Sequence, residues 1–346
     1  MAIVTNLDKL MKEKGYTLVK LAEEVGISTV NLSNIKNGNI SAIRFSTLNE
    51  ICRILGCQPG DILKYEINRK RVIPLFLDYS GTTDLLLESG AENVKKFFDA
   101  IIRLQQKSEC EVKITIVTGA SFEAARSKYK LLYDLAENYG LPDLFDGVVA
   151  EYCGFIIRKD KSDKLLTMDT RILEKRTEIE EIVKRYRGKI SLGVTSMYNI
   201  SFEDINRTDL AEASEQLEDL IGYEDIETVA YYDTYGKECD IKPKKHSKSE
   251  AVLMIVKKLK EKYSIPFIII GGDSHDEDLK MYTKNKENFH KMGIESVFIA
   301  PINIENIVNN DENIIIGNWR NSEGISDCIE KLNSRIKLRE NGEIEI

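Results

Sequence analysis

An aspartate closes the apolar run Val72-Ile73-Pro74-Leu75-Phe76-Leu77-Asp78, and Tyr79-Ser80-Gly81-Thr82-Thr83 follow at once. A run of this length bounded by turn residues reads as a buried strand of a parallel sheet, and ligands of such sheets bind beyond the carboxyl ends of the strands. Asp78 therefore stands where an open α/β fold places chemistry, and Gly81 allows a ligand close to the backbone. The plainer use of a strand-end aspartate is to cap the following turn. Three further segments bear on the choice. Lys113 to Val117 is strand-like and ends on Thr118-Gly119-Ala120-Ser121. Asp240-Ile241-Lys242-Pro243-Lys244-Lys245-His246-Ser247-Lys248 opens an amphipathic helix through Lys260. Ile265 to Ile270 is apolar and runs into Gly271-Gly272-Asp273-Ser274-His275-Asp276-Glu277-Asp278. A strand-end acid, a strand-end hydroxyl, a helix-opening lysine and an acidic cluster after a strand thus recur in order along the chain.

The elements that must hold these residues are an alternation of strands and helices from residue 72 onward, which argues for βαβ units. Between about 155 and 238 helical and strand-like patterns continue without strand-end carboxylates, as an inserted domain covering a substrate would. Ahead of this lies a different composition. Residues 1–71 hold eleven Lys/Arg against seven Asp/Glu, a charge of +4, so the rest of the chain carries −12 to give the net −8. At 346 residues there is room for two or three domains, and 42% hydrophobic with 31% charged residues describes a protein able to bury real cores. No apolar stretch approaches the roughly 20 residues of a membrane span and no signal-peptide pattern is present, so a cytoplasmic location and no membrane partner are expected. The six cysteines, 52, 57, 110, 153, 239 and 328, form no CxxC or Cys/His cluster and are expected as reduced thiols.

In the first segment Thr17 caps Leu18 to Val25, Gly26 ends that helix, and Ser28 caps a second helix that Gly38 stops. A helix from Ser46 to Leu55 follows, and then Gly56-Cys57-Gln58-Pro59-Gly60-Asp61. These stretches resemble the lambda-repressor/Cro-type helix-turn-helix family over essentially all of residues 1–66. The resemblance implies that the second helix enters the major groove of double-stranded DNA. Ser28, Thr29, Asn31, Asn34 and Lys36 are then the DNA contacts, and the modest basic excess implies a homodimer for tight binding.

From residue 72 the order and types of the four anchors resemble the haloacid dehalogenase (HAD) superfamily of phosphotransferases. A carboxylate attacks phosphorus, a hydroxyl and an ammonium hold phosphoryl oxygens, and acids hold Mg²⁺. By that resemblance Asp78 is the nucleophile, Thr118 the second-motif hydroxyl and Lys248 the third-motif lysine, with Lys242, Lys244 and Lys245 as neighbouring alternatives. Mg²⁺ is held by Asp78, the Ser80 backbone carbonyl, Asp273 and either Asp278 or Glu277, while Thr82, Gly119 and His275 face a small phosphorylated metabolite. The length between Thr118 and Lys248 resembles the large cap of sugar-phosphatase members, although Tyr152 stands where the cap-entry segment usually has Asn. A second departure concerns chemistry. Ser80 replaces the aspartate that normally acts as general acid and base, a role typically worth about 10²–10⁴-fold.

The expected architecture is multidomain: an N-terminal all-α helix-turn-helix bundle, then an α/β Rossmann-like HAD core on a parallel sheet with an inserted α+β cap. The expected boundaries are 1–66 for the DNA-binding domain, 67–71 for a basic linker, 72–154 and 239–346 for the core, and 155–238 for the cap. The expected function is a DNA-binding regulator whose HAD-like domain binds a phosphoester with Mg²⁺ and hydrolyses it weakly. The alternative is an active phosphatase whose helix-turn-helix serves localisation or dimerisation.

Overall fold

Val72–Asp78 is buried along its whole length, because helices cover both faces of the sheet to which it belongs. The computed structural model describes residues 2–66, 69–83, 86, 90–159, 162–165, 171–185, 190–195, 200–204, 219, 222, 225–232, 237–274, 277–302, 311–339 and 342–346. They form two compact units, Met1–Arg69 and Lys70–Ile346. Among them no helix is long and apolar enough to cross a membrane.

The first unit runs β1 (Ala2–Thr5), α1 (Leu7–Glu13), α2 (Leu18–Val25), α3 (Thr29–Lys36), α4 (Phe45–Leu55), α5 (Pro59–Ile62) and β2 (Leu63–Glu66). Local chemistry sets the helix ends. The Thr17 hydroxyl accepts the Lys20 N–H at 3.3 Å, and the Ser28 hydroxyl accepts the Asn31 N–H at 3.1 Å. Gly26 closes α2 in the left-handed region at φ +77°, where a side chain is costly. Leu7, Leu21, Ala22, Leu32, Ile51 and Ile62 make the core of this unit, and small Ala22 is buried alongside Leu21. The structure adds an antiparallel ribbon of β1 on β2 to the expected all-α bundle. Strands of four residues leave little periodicity to read.

The second unit contains β3 (Val72–Asp78), α6 (Gly90–Ser108), β4 (Glu111–Val117), α7 (Phe122–Asn138), β5 (Phe145–Ala150), β6 (Phe155–Ile157) and β7 (Ser162–Lys164). Next come α8 (Arg171–Glu174), α9 (Arg176–Arg185), β8 (Ile190–Thr195), β9 (Ile200–Asp204), β10 (Ile226–Tyr232) and β11 (Lys237–Pro243). It closes with α10 (Lys248–Lys262), β12 (Phe267–Gly271), α11 (Asp278–Thr283), α12 (Lys286–Lys291), β13 (Glu295–Ala300), β14 (Ile314–Ile316), α13 (Asn321–Arg335) and the short pair β15 (Lys337–Leu338) and β16 (Ile344–Glu345). The main sheet has the order β14-β13-β12-β3-β4-β5-β6-β7. It is parallel from β14 to β5 and antiparallel from β5 to β7. A second, antiparallel sheet has the order β10-β11-β9-β8.

The alternation of β3 divides the core in two. Ile73, Leu75 and Leu77 pack with residues of α6, α7 and α13, whereas Phe76 packs with residues of α10, α11 and α12. This is the layering of an α/β sheet with helices on both faces. Within the span expected as the cap from residue 155, β6 and β7 extend the main sheet. The expected end of that span at 238 falls inside β11, which continues to Pro243.

The division into two units gives a direct test. Leu21 is fully buried in the first, so Leu21→Ala is expected to cost about 2–5 kcal/mol there. Hydrogen exchange on the full chain should show faster exchange throughout α1–α4 and unchanged protection in β3, β4 and β12.

Candidate active site and DNA-facing helix

Three parallel strands deliver the acids and the hydroxyl from their carboxyl ends. Asp78 is the last residue of β3, Thr118 follows β4, and Asp273 lies two residues beyond β12. After Asp78 the chain turns tightly, with the Thr82 and Thr83 N–H groups donating to the Tyr79 carbonyl at 3.3 and 2.8 Å. The Thr83 hydroxyl donates to the Asp78 carbonyl at 2.8 Å. Gly81 adopts φ +67°, and a Cβ there would lie 2.1 Å from Asp273 Oδ2. The turn thus needs glycine for its conformation and for the approach of the acid. The Thr82 hydroxyl donates to Asp273 Oδ1 at 3.3 Å. Asp278 opens α11, is fully buried and accepts the Ser274 N–H at 3.0 Å.

Lys248 joins these strands electrostatically. Ser247 caps α10 by accepting the Glu250 N–H at 3.3 Å, which fixes Lys248 as the first helical residue. Its Nζ lies 2.6 Å from Asp78 Oδ1 and 2.7 Å from Asp278 Oδ1. Burial, with the neighbouring Asp278 and Asp273 charges, pushes the Asp78 carboxyl up to about 7 against the pull of Lys248. Burial and Asp278 push Asp273 up to about 6. Burial alone would lower the Lys248 ammonium, but Asp278 and Asp78 outweigh it and hold that group above its ordinary value.

Asp78, Asp273 and Asp278 each offer a carboxylate oxygen, and these atoms lie within 4.8 Å of one another. Hard oxygen donors in such a cluster suit Mg²⁺, and burial together with the neighbouring acids raises Asp78 and Asp273, a strain that a cation would relieve. The residues present therefore fit the ion. Glu277 is buried at the start of α11 but is not one of these three. Ser80 is exposed in the turn after Asp78, and His275 lies outside the described residues.

Thr118 is buried, and its hydroxyl accepts the Ala120 N–H at 3.2 Å. The segment at 151–154 braces this loop from the β5 side. Tyr152 N–H donates to the Thr118 carbonyl at 3.0 Å and Glu151 N–H to the Ala120 carbonyl at 2.9 Å. The Glu151 carboxylate also accepts the Phe122 N–H at the start of α7, at 3.2 Å. Both Glu151 and Tyr152 have positive φ, 51° and 61°, an uncommon conformation for residues with side chains. A Cβ on Gly119 would come within 2.8 Å of the Tyr152 ring, so glycine makes room for it. The Tyr152 hydroxyl donates to Asp240 of β11, and the Lys242 ammonium lies 4.7 Å from the ring centre. Sequence reasoning noted Tyr152 only as a departure from Asn. Its link to Asp240 spans 88 residues and leaves no local signal.

On the first unit, Ser28, Thr29 and Asn31 are exposed on or just before α3, and Asn34 is half-buried. Lys36 is half-buried and its ammonium pairs with Asp8 of α1 at 3.1 Å. That pairing ties Lys36 to the bundle.

Removing the Lys248 ammonium would leave Asp78 and Asp278 buried without their shared counter-charge. Breaking a buried pair in this way typically costs about 3–5 kcal/mol. Lys248→Met is expected to lower the stability of the second unit by that amount, read by urea unfolding in the presence of a chelator. A decrease below about 1 kcal/mol would show that the ammonium does not hold the acids together.

Residues 6–67 match the family described as the Cro/C1-type HTH DNA-binding domain. Over 65 residues the chain is 51% identical to YozG of Bacillus subtilis, described as an uncharacterized HTH-type transcriptional regulator; the match covers 19% of this chain and 77% of that protein. Among solved structures, the C-terminal domain of the Candida albicans trehalose synthase regulatory protein superposes with a TM-score of 0.51 at 11% identity, over 76% of this chain and 94% of that one. A HAD subclass IIB sugar phosphatase gives a TM-score of 0.45 at 12% identity, over 75% and 98%. The first of these two likenesses shows a shared fold, and the mostly parallel sheet with helices on both faces is that of a Rossmann-like core. Through its first unit the chain belongs to the Cro/C1-type HTH DNA-binding domain family.

Proposed function

We propose that this protein is a transcriptional regulator whose second unit binds a small phosphorylated metabolite together with Mg²⁺ and hydrolyses it weakly. The observation that carries the reading is the cluster of Asp78, Asp273 and Asp278 at the carboxyl ends of β3 and β12, with Lys248 paired to the buried Asp78 and Asp278. Asp78, Asp273 and Asp278 would hold the cation, with the Ser80 carbonyl as a further oxygen donor. Bound there, Mg²⁺ would supply positive charge against a phosphoryl group and help align it.

The residues of the chain account for the remainder. Lys248 and the Thr118 hydroxyl bind phosphoryl oxygens, and Thr82 orients Asp273 through its hydrogen bond. Asp78 presents a carboxylate oxygen to phosphorus; an Asp78 O–P bond forms as the bond to the leaving oxygen breaks. That oxygen needs a proton, and the water that later frees phosphate must lose one. A serine hydroxyl titrates far above neutral pH, so Ser80 serves neither step. Binding and turnover are therefore separable in this site. On the first unit, Asn31 and Asn34 read base edges in the major groove, with Ser28 and Thr29 at the helix start. A homodimer, cytoplasmic and reading two half-sites, completes the proposal.

Two experiments test it. A panel of phosphorylated metabolites should give Mg²⁺-dependent thermal shifts with slow phosphate release, and Ser80→Asp should raise hydrolysis of aryl phosphates at least about tenfold. Brisk native turnover that the substitution leaves unimproved would sink the sensor reading in favour of a working phosphatase. For the first unit, replacing Asn31 and Asn34 together with Ala should weaken sequence-specific binding by about 1–3 kcal/mol for each base that the two amides read. Gel shifts on selected fragments measure this, and unchanged specificity would remove both residues from base readout.

A further inference from the structure

Val30 is 69% exposed, although it lies in the first turn of α3 between Thr29 and Asn31. The core of the first unit takes Leu32 and Ile35 from this helix. At 3.6 residues per turn, Val30 lies roughly 200° around the axis from Leu32, so its isopropyl group points away from the bundle. Val30 and Asn34 are four residues apart and share one stripe of the helix. A β-branched residue gains nothing as a helix former, and here it gains little by burial within its own unit. This is the helix that the Cro/C1-type assignment places against DNA, on a segment carrying a charge of +4 over residues 1–71.

We infer that Val30 reads thymine, by contact with its 5-methyl group in the major groove. The inference rests on the DNA-binding reading of the first unit and deepens it. Thymine alone among the four bases presents a methyl group to that groove, and an apolar side chain is the group that recognises it. The neighbouring Asn34 amide is suited to the N6 and N7 edge of adenine, so one stripe of α3 carries complementary means of reading adjacent A·T pairs. The polar residues of α3 attract attention because they hydrogen-bond. Val30 contributes through the same surface by excluding water from around the methyl group.

The test separates this interaction from the rest of DNA binding. The full chain selects its site from random duplexes, and each thymine of that site is replaced singly by uracil, which removes only the methyl group. At one thymine the native chain should bind the uracil duplex about four- to fifteenfold more weakly, the equivalent of one or two buried methyl groups. Val30→Ala should bind the thymine and uracil duplexes equally, with an unchanged salt dependence because the valine side chain neutralises no phosphate. Since Val30 is exposed, this variant keeps the core of the unit intact. The inference is overturned if no thymine in a selected site is sensitive to uracil, or if the thymine-to-uracil ratio persists in Val30→Ala. If the native chain selects no sequence at all, the DNA-reading proposal for α3 itself falls, which is a distinct result.

Discussion

One ammonium between two buried carboxylates sets the conditions for the second unit. Lys248 lies 2.6 Å from Asp78 and 2.7 Å from Asp278, with all three groups out of water. Taking three charges from solvent costs several kcal/mol each unless geometry and hydrogen bonds offset it. The offset here is built from separate parts of the chain. β3 supplies Asp78, the loop after β12 supplies Asp273, α11 supplies Asp278, and the capped start of α10 supplies Lys248. Even so, the balance is incomplete. Three acids face one ammonium, and burial first, then the neighbouring negative charge, raises Asp78 to about 7 and Asp273 to about 6. A divalent cation or a tightly held proton would relieve that negative charge.

The same constraint explains the glycines. Gly81 and Gly272 have no side chain because Asp273 and Asp278 occupy the space where a Cβ would stand, at 2.1 and 2.3 Å. The acids approach the backbone closely enough for a main-chain donor to help: the Ser274 N–H bonds Asp278. Gly119 plays the matching part just beyond β4, where it faces the Tyr152 ring. Local backbone freedom is thus placed where buried charge or a bulky ring must come near the chain.

Much of this was legible in the sequence, for identifiable reasons. An apolar run ending in a carboxylate marks a buried parallel strand whose end carries function, and Asp78, Thr118 and Asp273 all lie at or just beyond such ends. Lys248 was legible as the lysine that opens an amphipathic helix, and caps disclosed α2 and α3. What could not be read depends on pairing between distant segments. The placement of β6 and β7 on the main sheet follows from antiparallel register with β5, which period-two alternation does not encode. The ribbon of β1 on β2 joins four-residue strands from opposite ends of the first unit. Lys36, expected as a DNA contact, also pairs with Asp8 of α1 at 3.1 Å, a link that the sequence does not disclose. Which of the adjacent acids Glu277 and Asp278 comes within 4.8 Å of Asp78 and Asp273 likewise depends on the path of α11.

The proposed sensor role depends on what the carboxylate cluster lacks. Holding a phosphoryl group needs positive charge and hydrogen-bond donors, which Lys248, Thr118 and a cation would supply without any proton changing hands. Turning it over needs a group that gives up a proton and takes one back near neutral pH. Raising Asp78 toward 7 does not meet that need, because a carboxylate that attacks phosphorus must be free of its proton at that moment. Ser80, exposed in the next turn, has no accessible second protonation state. On this reading the second unit keeps the electrostatics of phosphoryl recognition while the proton-transfer step is slow. Residence of the phosphorylated ligand then exceeds its chemical lifetime on an efficient enzyme, and that is the property by which a bound metabolite could govern a DNA-reading unit in the same chain.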